Sequence, residues 1–118
     1  MTGIPAPVQD LVRARSGGTC EGCGRREATE MHHRKYRARG GQHAASNLLH
    51  LCGWGNHTGC HGLAHSEAGR QLGWSVNSWA DPAATPIEHA VHGLVLLDDA
   101  GDVHQTQEGP GPWRNASS

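Results

Sequence analysis

His32 and His33 stand side by side in EMHHR, Asn47 follows in SNLLH, and His61 and His65 lie four residues apart in CHGLAH. A neutral imidazole binds divalent cations well and is the usual side chain able to accept a proton near neutral pH. Two histidines at i and i+4 on one helix are about 5–6 Å apart at Cβ, close enough to share an ion. Interleaved with them are four cysteines: Cys20 and Cys23 make a C-x-x-C knuckle, and Cys52 and Cys60 a looser pair in LCGWGNHTGC. Four thiolates at such spacing fit tetrahedral zinc. The alternative is a pair of disulfides in an exported domain. The chain starts MTGIPAPVQD, with no basic region leading into an apolar stretch, so export is not expected and a cytoplasmic location is. A redox C-x-x-C is disfavoured because no long βαβ pattern surrounds Cys20.

The elements that must position these groups are short. With 118 residues, no Phe, one Tyr and 17 Gly, the chain has little apolar bulk for a core, and a metal staple would supply the missing stability. A docking helix is expected over about residues 7–15, entered through Pro5 and Pro7 and ended by Gly17-Gly18. Residues 28–34 read as a short strand leading into a polar Arg/Gly loop, RKYRARGGQH. Residues 47–51 read as an apolar return segment. A helix is predicted over about 60–72, N-capped by Thr58 and stopped before Gly73, with His61, His65, Ala68 and Leu72 on one face. Further on, Trp74-Ser75-Val76 reads as a strand end, 80–86 as a loop, and 93–97 with 102–106 as a β-hairpin. Trp74 and Trp79 are expected in core or zinc-cap packing. The divisions are an N-terminal helix or arm (1–19), the knuckle and histidine domain (20–79), a hairpin extension (80–106) and a disordered tail (107–118).

Net charge is −1, but residues 1–50 hold eight of the ten Lys and Arg against four acids, while 51–118 hold two against seven. The basic half is where a polyanion would dock. Arg34, Lys35, Arg37 and Arg39, strung along the loop after His33, suit phosphate contacts that neutralise charge without reading bases. No stretch is long and apolar enough for a membrane span.

Taken in order, C-x-x-C, E-M-H-H-R, a Gly-Gly loop, S-N-L-L-H-L-C and C-H-G-L-A-H resemble an HNH endonuclease of the ββα-metal class, in the phage and bacterial variant with a four-cysteine zinc knuckle. The resemblance covers about residues 20–66. It places the family letters on His33, Asn47 and His61, with His32 and His65 as further metal-ligand positions. The seven-residue gap between Cys52 and Cys60 departs from the shorter gap of many members and offers His57 as a rival fourth zinc ligand; Cys60 is preferred. The resemblance also implies a scissile phosphate between metal and base, an Asn47 that bridges the ends of the loop to hold the His33 ring, and 3′-hydroxyl and 5′-phosphate products.

The chemistry is consistent with that likeness. Cleaving a phosphodiester needs an activated water in line with the leaving oxygen, and a cation for the charge on the phosphoryl and leaving oxygens. His33 would be the base, with His32, His61 and His65 holding one divalent ion. Neighbouring strand residues point to opposite faces, so His32 and His33 should not both enter one site on a regular strand. Rival readings are a surface His-His dipeptide and a Cys2His2 finger built with His61 and His65; His43, His50, His89, His92 and His104 read as loop or surface groups.

The expectation is therefore a small α+β zinc-stapled ββα-metal domain with a short C-terminal hairpin. It would act as a DNA endonuclease of low sequence specificity carrying structural zinc and one catalytic Mg, Mn, Ni, Co or Zn ion. DNA is the expected partner, and a phage terminase or other packaging protein is a candidate one. The rival is a catalytically silent zinc-knuckle adaptor that binds DNA or a packaging protein.

Overall fold

Helix α1 spans Ala6–Ser16, with Pro7 in its first turn and Gly17 in the left-handed conformation closing it by a 2.8 Å bond from its N–H to the Arg13 carbonyl. This is a computed structural model, which describes residues 3–55 and 57–107. The tail expected at 107–118 falls, except for Gln107, outside the described residues. Val12 of α1 is buried against Ile4, Ala45 and Leu48, with Val8, Leu11 and Met31 at the margin, so the arm docks on its own apolar patch.

Strands β1 (Glu30–His33) and β2 (Leu48–Leu51) pair antiparallel, with Glu30 opposite Leu51 and His33 opposite Leu48. All four β2 residues are buried, which explains the unbroken Leu-Leu-His-Leu run. Between the strands lie single 3-10 turns at Arg37–Arg39 and Ala45–Asn47. The helix expected over 60–72 is instead two: α2 (Gly59–Ala64) and α3 (Glu67–Gln71). The break has a physical cause. Ser66 is extended and its hydroxyl accepts the Gly69 N–H at 3.3 Å, a helix cap followed by an acid in the first turn. Thr58 precedes α2 but makes no cap bond; its hydroxyl takes the Trp54 N–H instead.

Residues 74–76 form no strand: the Val76 N–H goes to the Arg34 carbonyl and the Trp74 N–H to Gly69. The C-terminal part is a three-stranded antiparallel sheet, β3 (Ile87–His89), β4 (Gly93–Leu97) and β5 (Val103–Gln105). The expected hairpin is β4–β5, and β3 adds a strand the sequence did not announce. Ile87, Val95 and Leu97 of this sheet share one buried cluster with Leu49, Leu51, Trp74 and the cysteines Cys20, Cys52 and Cys60. Among the described residues no helix is long and apolar enough to cross a membrane.

Candidate metal centres and the histidine pair

The knuckle turn is pinched shut by an isolated bridge between Thr19 and Glu27 and by the Cys20 N–H on the Arg26 carbonyl at 2.8 Å. The second pair arrives from the end of β2 and the start of α2. The four Sγ atoms lie within 4.8 Å of one another, with Cys23 and Cys52 at 4.0 Å, and none is in a disulfide. Tetrahedral zinc with Zn–S near 2.3 Å needs sulfurs about 3.8 Å apart, so the donor set fits that ion. Backbone N–H groups of Gly22 and Cys23 point at the Cys20 sulfur, that of Arg25 at Cys23 and that of Cys60 at Cys52, at 3.3–3.5 Å. Such donors favour thiolates. Burial works to raise the Cys23 thiol, but the Arg25 and Arg26 backbone bonds and the Cys20 and Cys60 thiols outweigh it and bring it to about 7. Burial and the neighbouring sulfurs of Cys20 and Cys52 push Cys60 upward. Gly22 is required here, because a Cβ would sit 2.8 Å from the Trp74 ring and 3.1 Å from the Cys60 sulfur. His57 lies outside this cluster, its ring stacked on Trp54 at 6.0 Å.

The second cluster is His32, His61 and His65, whose ligand nitrogens also lie within 4.8 Å of one another. Their ring centroids are 5.0–5.2 Å apart. Two of the rings are held from behind. His32 Nε2 lies 2.7 Å from the Trp74 carbonyl, which can only accept, so Nε2 carries the proton and Nδ1 keeps a lone pair. His61 Nδ1 donates to Glu30 Oε1 at 3.0 Å, leaving Nε2 as its lone-pair nitrogen, and the same carboxylate oxygen takes the Gly55 N–H at 2.8 Å. Such partners fix the tautomer and direction of metal-binding imidazoles. Burial, helped by repulsion from His61, His65 and Arg34, brings His32 down to about 3 against the pull of the Trp74 bond. Burial and His61 also lower His65. Three imidazoles converging in this way can bind a divalent ion.

His33, one residue further along β1, does not join that trio. Strand alternation turns it away, and its Nε2 meets His43 Nδ1 at 3.0 Å. Burial, His43 and Arg37 lower it to about 4. Asn47 spans the intervening loop: its Oδ1 takes the Lys35 N–H at 2.7 Å, and its Nδ2 donates to the Lys35 and Gln42 carbonyls at 3.1 and 3.0 Å.

The basic loop needs one correction. Arg34 is fully buried and makes no phosphate-facing surface; its guanidinium donates to the carbonyls of Gly73, Ser46, Pro82 and Thr85 at 2.7–2.9 Å. Arg37 and Arg39 are exposed and Lys35 half-buried. Trp74 is buried, but Trp79 is 83% exposed and packs in no core. His50 and His89 are buried rather than surface groups: His89 Nε2 donates to Glu21 at 2.9 Å and His50 Nδ1 meets the Ser16 hydroxyl at 2.8 Å.

Three neighbours of the site escaped sequence reasoning. Glu30 was legible, since i and i+2 on a strand share a face and Glu30 stands two before His32. Tyr36 stacks on His65 at 5.2 Å beneath the Arg39 guanidinium, and no local pattern marks it. His43 reaches His33 only because the loop closes.

Comparison with known protein families finds a match over part of the chain. No curated protein and no solved structure matches it. Residues 20–67, which carry the four cysteines, the three clustered histidines, His33 and Asn47, match the HNH endonuclease family, whose activity is of the nuclease type.

Proposed function

We propose that this protein is a metal-dependent DNA endonuclease of low sequence specificity. The observation that carries the reading is the three-histidine cluster oriented by Glu30 and the Trp74 carbonyl, one strand position from a separate histidine held at neutral charge. His32, His61 and His65 hold a single divalent ion, and Cys20, Cys23, Cys52 and Cys60 hold structural zinc. A divalent ion bound by the histidines supplies charge stabilisation on the phosphoryl and leaving oxygens. His33 takes a proton from water as the water oxygen bonds to phosphorus. The P–O3′ bond breaks, the departing 3′ oxygen takes a proton from solvent water, and a 5′-phosphate remains. Asn47 closes the loop that carries Lys35, Arg37 and Arg39, which hold the DNA backbone. Imidazole ligands accept Mn, Ni, Co or Zn more readily than a carboxylate set would, with Mg as a cellular option.

The test compares plasmid nicking with calorimetric metal titration. His33→Ala should bind metal and DNA as the parent does yet cleave about a hundredfold more slowly or worse. His61→Ala should bind metal weakly and regain part of its rate at high metal concentration. Supercoiled plasmid left intact by the parent with saturating Mn or Ni would overturn the reading and favour a silent zinc-knuckle adaptor.

A further inference from the structure

The His33–His43 contact is a side-chain interaction at the site that the proposed chemistry leaves unused. His43 is half-buried, its Nδ1 lies 3.0 Å from His33 Nε2, and the two ring centroids are 5.1 Å apart. Its backbone is set by the closed loop before it. Gly41 donates to the Tyr36 carbonyl at 3.0 Å and accepts from the Arg37 guanidinium at 2.7 Å. A Cβ on Gly41 would fall 1.8 Å from the Lys35 carbonyl oxygen, so only glycine permits the closure. Asn47 then holds the Gln42 carbonyl, the residue next to His43.

We propose that His43 is a positioning residue for His33. The proposal rests on the reading of His33 as the base. Two imidazole nitrogens facing each other at this distance share one proton. With His33 Nε2 engaged, the nitrogen left to take a proton from water is Nδ1. It has a free lone pair only when His33 Nε2 carries the hydrogen and His43 Nδ1 accepts it. His43 thus selects the productive tautomer and fixes the ring direction, a task often given to a carboxylate or carbonyl. The Asn47 amide acts on His33 through this relay, by way of Gln42 and His43.

Four variants test this. Single-turnover nicking at saturating metal and DNA, with KM and metal affinity measured alongside, is run on His33→Ala, His43→Ala, His43→Asn and the double variant His33→Ala/His43→Ala. Nitrogen-15 imidazole shifts report the His33 tautomer directly. His43→Ala should lose about tenfold or more in rate with KM and metal affinity unchanged, and should show a mixed His33 tautomer. Asparagine places an amide oxygen near the Nδ1 position, so His43→Asn should recover most of the rate and the single tautomer; it also controls for any loosening of the loop. In the His33→Ala background, removing His43 should cost nothing further. An unchanged tautomer in His43→Ala, or a loss that multiplies with that of His33→Ala, overturns the role of His43. A His33→Ala protein that cleaves at the parental rate overturns the base itself, whatever the tautomer readout shows.

Discussion

Glu30 and His32 stand two residues apart on β1, so one face of a four-residue strand supplies both a buried imidazole of the three-histidine cluster and the carboxylate that fixes His61 at 3.0 Å. Glu30 also anchors Gly55, which couples the turn between Cys52 and Cys60 to the histidine centre. Replacing Glu30 by Ala leaves the three imidazoles in place but frees the His61 ring to turn. Metal affinity at the histidine centre should fall about ten- to a hundredfold, with zinc at the cysteines retained. Calorimetry on zinc-loaded protein, titrating Mn or Ni, reads the change.

The cysteines should behave differently. Cys20, Cys52 and Cys60 belong to the main buried cluster together with Ile87, Val95 and Leu97, and Cys23 packs against it, so losing one thiolate should weaken the whole assembly. Cys20→Ser, or a strong chelator, should abolish cooperative thermal unfolding by circular dichroism. A Cys20→Ser protein that melts like the parent would show that the metal is dispensable.

Salt dependence separates the loop cations. If Lys35, Arg37 and Arg39 each neutralise a phosphate, they should contribute about −3 to the slope of log affinity against log salt. Neutralising the three should flatten the slope by that amount with sequence preference unchanged. Arg34→Lys should leave the slope alone and lower stability by at least about 3 kcal/mol, because a single ammonium cannot reach four carbonyls that are already out of water.

Acid should act through Glu21. Its side chain is fully buried and takes Arg15 at 2.7 Å and His89 at 2.9 Å. Burial works to raise this carboxyl, but the His89 and Arg15 bonds and the Arg15 charge bring it from 4.5 to about 2. A depressed carboxyl stabilises the fold above its unfolded value and loses that contribution as pH falls toward its folded one. Glu21 should therefore add about 3 kcal/mol at neutral pH, fading between about pH 4.5 and 2. Denaturant midpoints of parent and Glu21→Gln, both zinc-loaded, should differ most at neutral pH and converge below 4.5.

Which cysteines and histidines gather could be read from the chain, because groups able to share an ion recur at short, fixed intervals. Cys20, Cys23, His61 and His65 carry that information within a few residues. The exposure of a charge could not be read so simply. Arg34 looks like its neighbours Lys35 and Arg37 until Gly73, Pro82 and Thr85 fold over it, since carbonyls that gather from three distant segments leave no local trace. The break at Ser66 was visible as a cap signal, but it lay inside a pattern of helical spacing that continued beyond it. Ile87–His89 was too short to show alternation. His43 meets His33 across a loop whose closure depends on Gly41 and Asn47 together, a relation that no spacing rule expresses.

The matched segment ends at Glu67, yet the Trp74 carbonyl that orients His32, the Thr85 and Pro82 carbonyls that hold Arg34, and the Ile87, Val95 and Leu97 side chains behind the cysteines all come later. The chemistry is therefore not portable as a cassette. Grafting residues 20–67 into another scaffold would transfer every proposed ligand while leaving behind the carbonyl that sets the His32 tautomer and the apolar side chains packed against Cys20, Cys52 and Cys60. A working transplant would have to carry the chain at least through Leu97.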